Sequence, residues 1–392
     1  MKKHHVVVIG GGGTGAAIAY DLVKRGFNAT VLERGELTSG TTGRHHGQLH
    51  CGARYAVADR EIARECMEET NTLRKIASES LESNYGLFVA LNNDDEEFAP
   101  TFIDACLESG IPAEKVPRKQ ALRMEPKLSE KIGTVVQVPD GTIDAWRLPL
   151  QFFAGAQEGG AVIRPFCPVT GVDIEGGRAV AVRIRNLIQQ QDERIEADLI
   201  VNATGAWASQ ITKFAGIDIP ITPAPGTMLA VRKRLCNMVI SRLHPSGDGD
   251  IIVPQRGLSI IGTTQYKTDD PDDIKVPRAD VDFLYRCADE MVPNFSKQPF
   301  HAAWIAARPL AGKSDSIEDG RGLSRDFVCV NHAQHDAVHG LISVIGGKAT
   351  VLRAMAEKAV DAVCHELGVQ HPCTTTETPL PSHRRYYRQG VK

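Results

Sequence analysis

Residues 5–34 constrain the fold more than any other part of this sequence. The stretch HHVVVIG predicts a buried parallel strand, because four β-branched residues in a row precede a glycine. The following GGGTGAAIAYDLVKRG predicts a tight turn and a helix that Gly26 ends. NATVLER then predicts a second strand, with Glu33 at its end. Together these residues predict a β–α–β unit at the start of the chain.

The glycines of this unit predict a dinucleotide site. Gly10, Gly12 and Gly15 match the spacing G-x-G-x-x-G. The first permits the turn, the second lets a pyrophosphate approach the backbone, and the third lets the helix pack closely on the strand. The pyrophosphate then binds the free N–H groups at the helix N-terminus. Glu33 is placed to accept hydrogen bonds from a ribose, and its charge would repel the 2′-phosphate of NADP.

Two later turns favour FAD over NAD as the dinucleotide. The stretch ADLIVNATGAWA predicts a buried strand that runs into Ala203-Thr204-Gly205. GLISVIGGKATVLRAMAEKAVDAVCHEL predicts a strand, the pair Gly346-Gly347 and a long amphipathic helix. The glycine fingerprint itself occurs once. Three strand-to-glycine turns spread along the chain suit a ligand too long for one loop, so we expect FAD.

The composition argues against several other classes of protein. A formal net charge of -3 over 392 residues gives no electrostatic reason to expect a nucleic-acid partner. The 9 cysteines are scattered without a CxxC pair, which predicts no metal site and fits a cytoplasmic protein. MKKHHVVVIGGGG begins like a signal peptide, but the glycines and the following helix favour a mature start. No apolar run reaches the roughly 18 residues of a membrane span, so we expect any membrane contact to be peripheral, on the inner face.

Several longer stretches resemble one family of flavoproteins. They run nearly end to end and are GGGGTGAAIAYDLVKRG, GTTGRHHGQLHCGARYAVADREIARECMEE, VPDGTIDAWRL, DIIVPQRGLSIIGTT, ARPL and GGKATVLRAMAEKAVDAVCHELG. The sequence resembles the FAD-dependent glycerol-3-phosphate dehydrogenases, within the D-amino-acid-oxidase-like superfamily, and is most similar to the catalytic A subunits of the anaerobic enzymes. The resemblance implies oxidation of the secondary alcohol of sn-glycerol 3-phosphate to dihydroxyacetone phosphate, with a hydride passing to N5 of FAD.

The resemblance also implies an α/β fold with two domains. A Rossmann-like, discontinuous FAD-binding domain is expected beside a substrate domain that is built on an antiparallel sheet. We expect the FAD-binding domain to take residues 1–90, 145–215 and 320–375, and the substrate domain to take 91–144 and 216–319. The basic tail, 376–392, is expected to be a frayed, solvated end rather than a contact for lipid or a partner. The acidic stretch KTDDPDDIKVPRADVD is expected to be a solvated loop.

The resemblance assigns residues to both ligands. The substrate phosphate is expected to bind Arg54, Tyr55, Arg308 and Lys348, and guanidinium groups suit phosphate because they donate hydrogen bonds in pairs. A helix that begins near Thr350 is expected to point its N-terminus at the flavin and to stabilise negative charge there. The residues expected at the cofactor are Gly10, Gly12, Gly13, Thr14, Gly15, Glu33, Arg34, Thr41, Thr42, Gly43, His46, Gly47, Leu49, Val169, Ala203, Thr204, Gly205, Gly346, Gly347, Lys348, Ala349 and Thr350.

Alcohol oxidation also needs a base that titrates near neutral pH, which favours histidine. The resemblance places His50 near the substrate hydroxyl, and we predict that it is the base. His244, in SRLHPSGDGD, is either a second base or a contact of the substrate loop. Arg308 is assigned to the catalytic group as well as to the phosphate. His46 is expected nearer the cofactor, and His332 is expected in a surface loop.

Two departures from the family leave the acceptor and the substrate open. The A subunits continue into a cysteine-rich C-terminal domain that resembles bacterioferritin-associated ferredoxin, whereas this sequence stops at SHRRYYRQGVK. We therefore expect electrons to leave through partner subunits, a quinone or oxygen. Where relatives read LMTYR or LTTYR after GGK, this sequence reads ATVLR. The alternatives are thus the same oxidation of another anionic hydroxy compound (a polyol phosphate, a phosphonate or a 2-hydroxy acid), or an FAD-carrying subunit that only transfers electrons.

Overall fold

A computed structural model describes residues 3–312 and 326–388 of the chain. The strands within those residues are β1 (His5–Ile9), β2 (Asn28–Leu32), β3 (Gln48–Leu49), β4 (Leu81–Glu82), β5 (Gly86–Val89), β6 (Glu114–Val116), β7 (Val135–Val138), β8 (Gly141–Ile143), β9 (Val162–Arg164), β10 (Val169–Glu175), β11 (Arg178–Asn186), β12 (Gln191–Glu196), β13 (Leu199–Asn202), β14 (Ile221–Val231), β15 (Val239–Arg242), β16 (Ile251–Gln255), β17 (Leu258–Gly262), β18 (Phe300–Ala311), β19 (Phe327–Asn331) and β20 (Leu341–Gly346).

The α-helices are α1 (Gly13–Lys24), α2 (Arg60–Ile76), α3 (Asn93–Glu108), α4 (Arg118–Met124), α5 (Arg147–Glu158), α6 (Ala208–Lys213), α7 (Arg278–Met291), α8 (His332–His335), α9 (Leu352–Leu367) and α10 (Arg384–Arg388). Short 3-10 turns cover Thr42–Arg44, Ala53–Tyr55, Ser78–Ser80, Gly205–Trp207 and Ala349–Val351. No helix in these described ranges is long and apolar enough to cross a bilayer.

A six-stranded, mostly parallel sheet forms the first half of the molecule, in the order β19-β20-β13-β1-β2-β9. β1 pairs in parallel with both β2 and β13, and only β19 runs antiparallel to its neighbour. The apolar run of β1 is explained by burial on both faces. Val6 and Val8 pack into the core that contains α1, α5 and α9, while Val7 and Ile9 pack against β10 and β11.

An eight-stranded sheet forms the second half, in the order β18-β14-β17-β16-β15-β5-β7-β6. Its strands are antiparallel except for the pair β5 and β15. Helix α7 covers one face through Leu284, Ala288 and Met291. A small sheet has the order β3-β8-β4. Its strands occur in the sequence where the chain passes from one large sheet to the other. The predicted fold, a parallel nucleotide-binding sheet with a separate, mainly antiparallel sheet, is confirmed.

The predicted domain limits stay predictions. β5 belongs to the eight-stranded sheet, although the predicted FAD-binding segment runs to residue 90. The limit at residues 319 and 320 lies outside the described residues. The strands of the six-stranded sheet do come from three separated parts of the chain, residues 5–32, 162–202 and 327–346.

The expectation of a frayed tail is wrong for residues 376–388. Leu380 is buried, and its N–H donates to the carbonyl of Ile76. The ring of Tyr386 lies 6.2 Å from that of Phe153 on α5. The tail is basic in composition, yet Leu380 and Tyr386 pack it against α2 and α5. Residues 389–392 lie outside the described chain.

The expectation of a surface loop at His332 is also wrong. His332 is fully buried at the start of α8. Its Nδ1 lies 2.6 Å from the Asp336 carboxylate, and its Nε2 lies 2.8 Å from the Ser343 hydroxyl on β20. These two hydrogen bonds satisfy the imidazole inside the fold, which explains how a polar ring is buried there.

Candidate functional site

A cavity of about 670 Å³ lies at the carboxyl ends of the parallel strands. Its walls include Ile9 and Leu32, which end β1 and β2, and Ala203 and Gly346, which follow or end β13 and β20. β1 has β2 on one side and β13 on the other. The order of the strands therefore reverses at β1. Ligands of open α/β sheets bind beside such a position, outside the carboxyl ends of the strands.

The glycine turn after β1 leaves room for a ligand at the backbone. Gly10 adopts φ +111, and a Cβ there would lie 2.6 Å from the carbonyl oxygen of Ala203. A Cβ on Gly15 would lie 1.9 Å from the carbonyl oxygen of Gly10, so only glycine lets α1 sit this close to β1. Gly12 has no side chain to cap α1; the N–H of Gly13 donates to Thr42 Oγ1 at 3.0 Å, and both glycines line the cavity. This arrangement fits a pyrophosphate.

Glu33 lies at the end of β2 and lines the cavity. Its two carboxylate oxygens accept backbone hydrogen bonds, one from Gly11 at 2.7 Å and one from Gly35 at 2.9 Å. These bonds fix the carboxylate beside the glycine turn. A ribose placed there would be bound by a pre-oriented acceptor.

The acidic loop around Asp272, which precedes α7, closes the cavity beside Arg34. The guanidinium of Arg34 lies 4.3 Å from the centroid of the Trp207 ring and 2.7 Å from the Asp272 carboxylate. The indole N–H of Trp207 donates to the same carboxylate at 2.9 Å. Pro271 and Ile274 also line the cavity. The expectation that this acidic loop is merely solvated is therefore wrong, because Asp272 connects the loop to Arg34 and Trp207, which line the cavity.

The segment around β3 brings three aromatic rings to the cavity. The rings of His46 and His50 are 5.8 Å apart, and those of His50 and Tyr55 are 5.5 Å apart. The backbone N–H of His50 donates to Thr350 Oγ1 at 3.1 Å, and its carbonyl accepts from Thr70 Oγ1 at 3.0 Å. His50 is thus held between the 3-10 turn before α9 and helix α2.

Two buried or partly buried groups support the same segment. Asp140 accepts hydrogen bonds from the Gln48 amide and from the N–H of Cys51, each at 2.8 Å, and burial raises the pKa of its carboxyl. Nδ1 of His45 accepts from the N–H of Gly47 at 2.8 Å, and desolvation by the surrounding protein lowers the pKa of His45 to about 4. Both contacts stabilise the segment that carries His50.

Cationic side chains from distant parts of the sequence line the same cavity. Arg308 projects from β18 and donates to Thr263 Oγ1 and, at 3.4 Å, to Gln265. Lys348 Nζ is buried and has no hydrogen-bond partner among the described residues. It lies 5.0 Å from the centroid of the Tyr55 ring. A buried ammonium that lacks an acceptor indicates a place for an anion.

Arg54 completes this group and is held by Asp250. Both side chains are nearly inaccessible, 5% and 3% exposed, and they form an ion pair. The other oxygen of Asp250 lies 2.7 Å from His244 Nε2, and Asp250 also accepts from the N–H of Gly247 at 2.6 Å. Burial lowers the pKa of His244 to about 4, and the charges of Arg54 and Arg242 act in the same direction. His244 does not line the cavity.

Most of the side chains predicted at the site line this one cavity, including His50, Arg54, Tyr55, Arg308 and Lys348. The exceptions, which do not line it, are His244 and the predicted cofactor residues Gly15, Gly43, Gly47, Leu49 and Thr350. Gly15 and Thr350 act through neighbours, as described above. The sequence reasoning missed Asp140, Trp207, Asp250 and Asp272. Asp250 ends the stretch SGDGD, whose two glycines predict a turn. A turn does not indicate which residue the Asp250 carboxylate contacts.

The glycine turn, the strand-end groove and the long cavity define a dinucleotide-binding α/β protein. Residues 5–352 match the DAO family model, described as FAD dependent oxidoreductase. The chain is 41% identical to the A1 subunit of the anaerobic glycerol-3-phosphate dehydrogenase of Haloferax volcanii, over 97% of this chain and 67% of that protein. It is 42% identical to the A subunit of the anaerobic glycerol-3-phosphate dehydrogenase of Escherichia coli K12, over 97% of this chain and 70% of that protein.

Solved structures show the same fold. L-proline dehydrogenase from P. horikoshii superposes with a TM-score of 0.75 at 21% identity, over 99% of both chains. Glycerol-3-phosphate dehydrogenase from Bacillus halodurans, complexed with FAD, superposes with a TM-score of 0.72 at 24% identity, over 99% of this chain and 71% of that one. The chain belongs to the DAO family of FAD-dependent oxidoreductases, which confirms both the resemblance inferred from sequence and FAD as the cofactor.

Proposed function

We propose that this chain oxidises sn-glycerol 3-phosphate to dihydroxyacetone phosphate. The observation that carries the proposal is the buried Nζ of Lys348, which has no hydrogen-bond partner in the described part of the chain and lines the cavity together with Arg54, Tyr55 and Arg308. The relatives at 41% and 42% identity, which are named as subunits of anaerobic glycerol-3-phosphate dehydrogenases, support the proposal. A protein that only relays electrons would have no use for such a set of cations around its cavity.

The cations suit a phosphate dianion better than a single carboxylate. A dianion that leaves water needs several fixed donors, and guanidinium groups supply them in pairs. Arg308 already has hydrogen bonds to a hydroxyl and an amide, which orient its fork. A phosphate oxygen would give Lys348 the acceptor that it lacks among the described residues.

His50 is the residue that we assign to the substrate hydroxyl. Its backbone is fixed on both sides, and its ring lies between His46 and Tyr55 in the cavity wall. A neutral imidazole nitrogen there would take the hydroxyl proton as the carbon gives up its hydride. FAD bound in the groove supplies the hydride acceptor. His244 is less suited to this task, because it faces Asp250 and not the cavity.

Helix α9 supplies a second contribution to the redox chemistry. It begins at Leu352, so one 3-10 turn, Ala349–Val351, separates its N-terminus from Lys348. The positive end of a helix dipole favours negative charge placed next to it. We therefore assign α9 to stabilising the reduced cofactor.

The electron acceptor is proposed to be a partner protein or a quinone. The relatives above are named as subunits of anaerobic enzymes, which supports a partner. We place this reaction in the cytoplasm, with any membrane contact on the inner face.

A longer polyol phosphate is the second candidate substrate. It is favoured by Ala349, a small side chain that lines the cavity next to Lys348. Thr350, the next residue, is buried and uses its hydroxyl to accept from His50. A small side chain at this position leaves more room for a longer substrate than a larger one would.

Anaerobic mixing of the FAD-loaded protein with each compound tests the proposal. Glycerol 3-phosphate is expected to bleach the visible flavin band within seconds, whereas glycerol is expected to leave it unchanged. Bleaching by a longer polyol phosphate but not by glycerol 3-phosphate would favour the second candidate. If dithionite bleaches the band but no hydroxy anion does, the proposed activity is wrong.

A further inference from the structure

Asp250 is a buried carboxylate that no motif of the sequence assigns to the site. It precedes β16 and lies outside the cavity lining. Its oxygens contact Arg54 Nη2, His244 Nε2 at 2.7 Å and the N–H of Gly247 at 2.6 Å. Three donors around one carboxylate satisfy it without water.

The pair between Asp250 and Arg54 is costly as a stability device. Both side chains are nearly inaccessible to solvent, and buried ion pairs repay their desolvation only when every hydrogen bond is made. In addition, a carboxylate behind Arg54 reduces the positive potential that an incoming anion meets. The charge of Asp250 therefore does not explain why this residue is buried beside Arg54. Its hydrogen bond to the Arg54 guanidinium does explain it. The contact at Nη2 restricts the orientation of the guanidinium.

We propose that Asp250 is a positioning residue for the phosphate-binding arginine, and this role rests on the proposed function. Asp250 holds Arg54 so that the rest of its guanidinium faces the cavity. His244 and Gly247 hold Asp250 in turn. The structure thereby gives His244 a role in the support of Arg54, not in taking the substrate proton.

Steady-state kinetics of the FAD-loaded full chain test this proposal with two variants. Asp250→Ala is expected to raise KM for glycerol 3-phosphate about 10-fold and to change kcat less than about 3-fold, because an arginine that has lost its orientation still carries its charge. Asp250→Asn is expected to raise KM about 3-fold, because the amide oxygen still accepts from Arg54 while the amide N–H donates to neutral His244.

Asp95→Ala is the matched control. Asp95 is equally buried, 2% exposed, and pairs with Arg242 next to His244, but it lies outside the cavity lining. Its removal is expected to lower thermal stability and leave KM unchanged. A KM for Asp250→Ala equal to that of the wild type, or equal to that of Asp95→Ala, overturns the proposal. If Asp250→Ala does not retain FAD, Asp250→Asn decides in the same way.

A binding measurement separates this proposal from the proposed function. Failure of glycerol 3-phosphate to bleach the wild-type flavin would count against the function alone. Inorganic phosphate is then titrated into the FAD-loaded wild type and both variants while the flavin absorption is followed. A Kd for phosphate about 10-fold higher in Asp250→Ala supports the positioning role. Equal Kd values in wild type and variant, or no phosphate binding by the wild type, overturn it.

Discussion

Nζ of Lys348 lies 5.0 Å from the centroid of the Tyr55 ring. The two residues come from opposite ends of the sequence and meet at the wall of one cavity. The ring face attracts the ammonium, but it is a weaker partner than an oxygen acceptor. No described residue supplies such an acceptor, so the pair marks the place where an anion gains most from binding.

Lys348→Met is expected to raise KM for glycerol 3-phosphate by about 10- to 100-fold, because a hydrogen bond to a charged group contributes about 1.5–3 kcal/mol. Initial rates over a range of substrate concentrations give this value. Lys358→Met is the control, since Lys358 lies 4.8 Å over the Phe327 ring but outside the cavity lining. Equal KM values for the two variants would contradict the assignment of Lys348.

His50→Asn is expected to slow reduction of the flavin by a factor of about 10² to 10⁴, the usual loss when a general base is removed. Stopped-flow absorbance at saturating substrate measures the rate. His301→Asn, at an exposed position of β18, is the control and is expected to react like the wild type. Wild-type rates in His50→Asn would show that another group takes the proton.

Asp272→Ala is expected to raise the Kd for FAD about 3-fold. The effect is modest because the Asp272–Arg34 pair is half exposed, and such pairs contribute about 0.2–1 kcal/mol. Fluorescence of the released flavin reports the Kd. Asp273→Ala, which removes an exposed contact to Lys275 in the same loop, should have no effect. An unchanged Kd in Asp272→Ala would mean that the loop does not help to retain the cofactor.

The pKa of His45 predicts a loss of stability in acid. Desolvation lowers this pKa from 6.5 to about 4, so between these pH values the unfolded chain binds a proton that the folded chain does not. Stability therefore falls as pH decreases through this window. His45→Gln is expected to show a smaller drop in Tm between pH 6.5 and 4.5 than the wild type. Parallel Tm curves for the two proteins would contradict the lowered pKa.

Gly15→Ala is expected to abolish FAD retention, because its Cβ would lie 1.9 Å from the carbonyl oxygen of Gly10 and would force α1 away from β1. The ratio of flavin to protein after gel filtration measures retention. Gly257→Ala is the control, since a Cβ there would meet no atom within 4 Å. Retention of a full complement of FAD by Gly15→Ala would show that the turn tolerates the shift.

The local parts of the site could be predicted from sequence, and the long-range contacts could not. The valine run of β1 and the glycines after it determine strand and turn within a few residues. Arg54 is 196 residues away from Asp250, and Arg34 is 238 residues away from Asp272, so neither SGDGD nor the acidic loop indicates these arginines. The cations of the proposed phosphate site were assigned through family resemblance, because their common position in one cavity depends on strand register, such as Arg308 opposite Ala224.

His332 and the tail show the same limit. Polar composition predicted exposure for both, but burial depends on which other elements pack against a segment. Ser343 on β20 and Phe153 on α5 are the neighbours that decide these two cases. Nothing in the flanking residues identifies them.

The position of β20 in the six-stranded sheet has a consequence for the order of events in the cell. β20 is paired to β13, which is paired to β1, and it carries the glycines that complete the groove opposite the first turn. The ribosome makes the glycine turn after β1 long before it makes Leu341–Gly346. Formation of the groove thus waits for this strand, and a polypeptide that ends before Leu341 would lack one wall of the cavity.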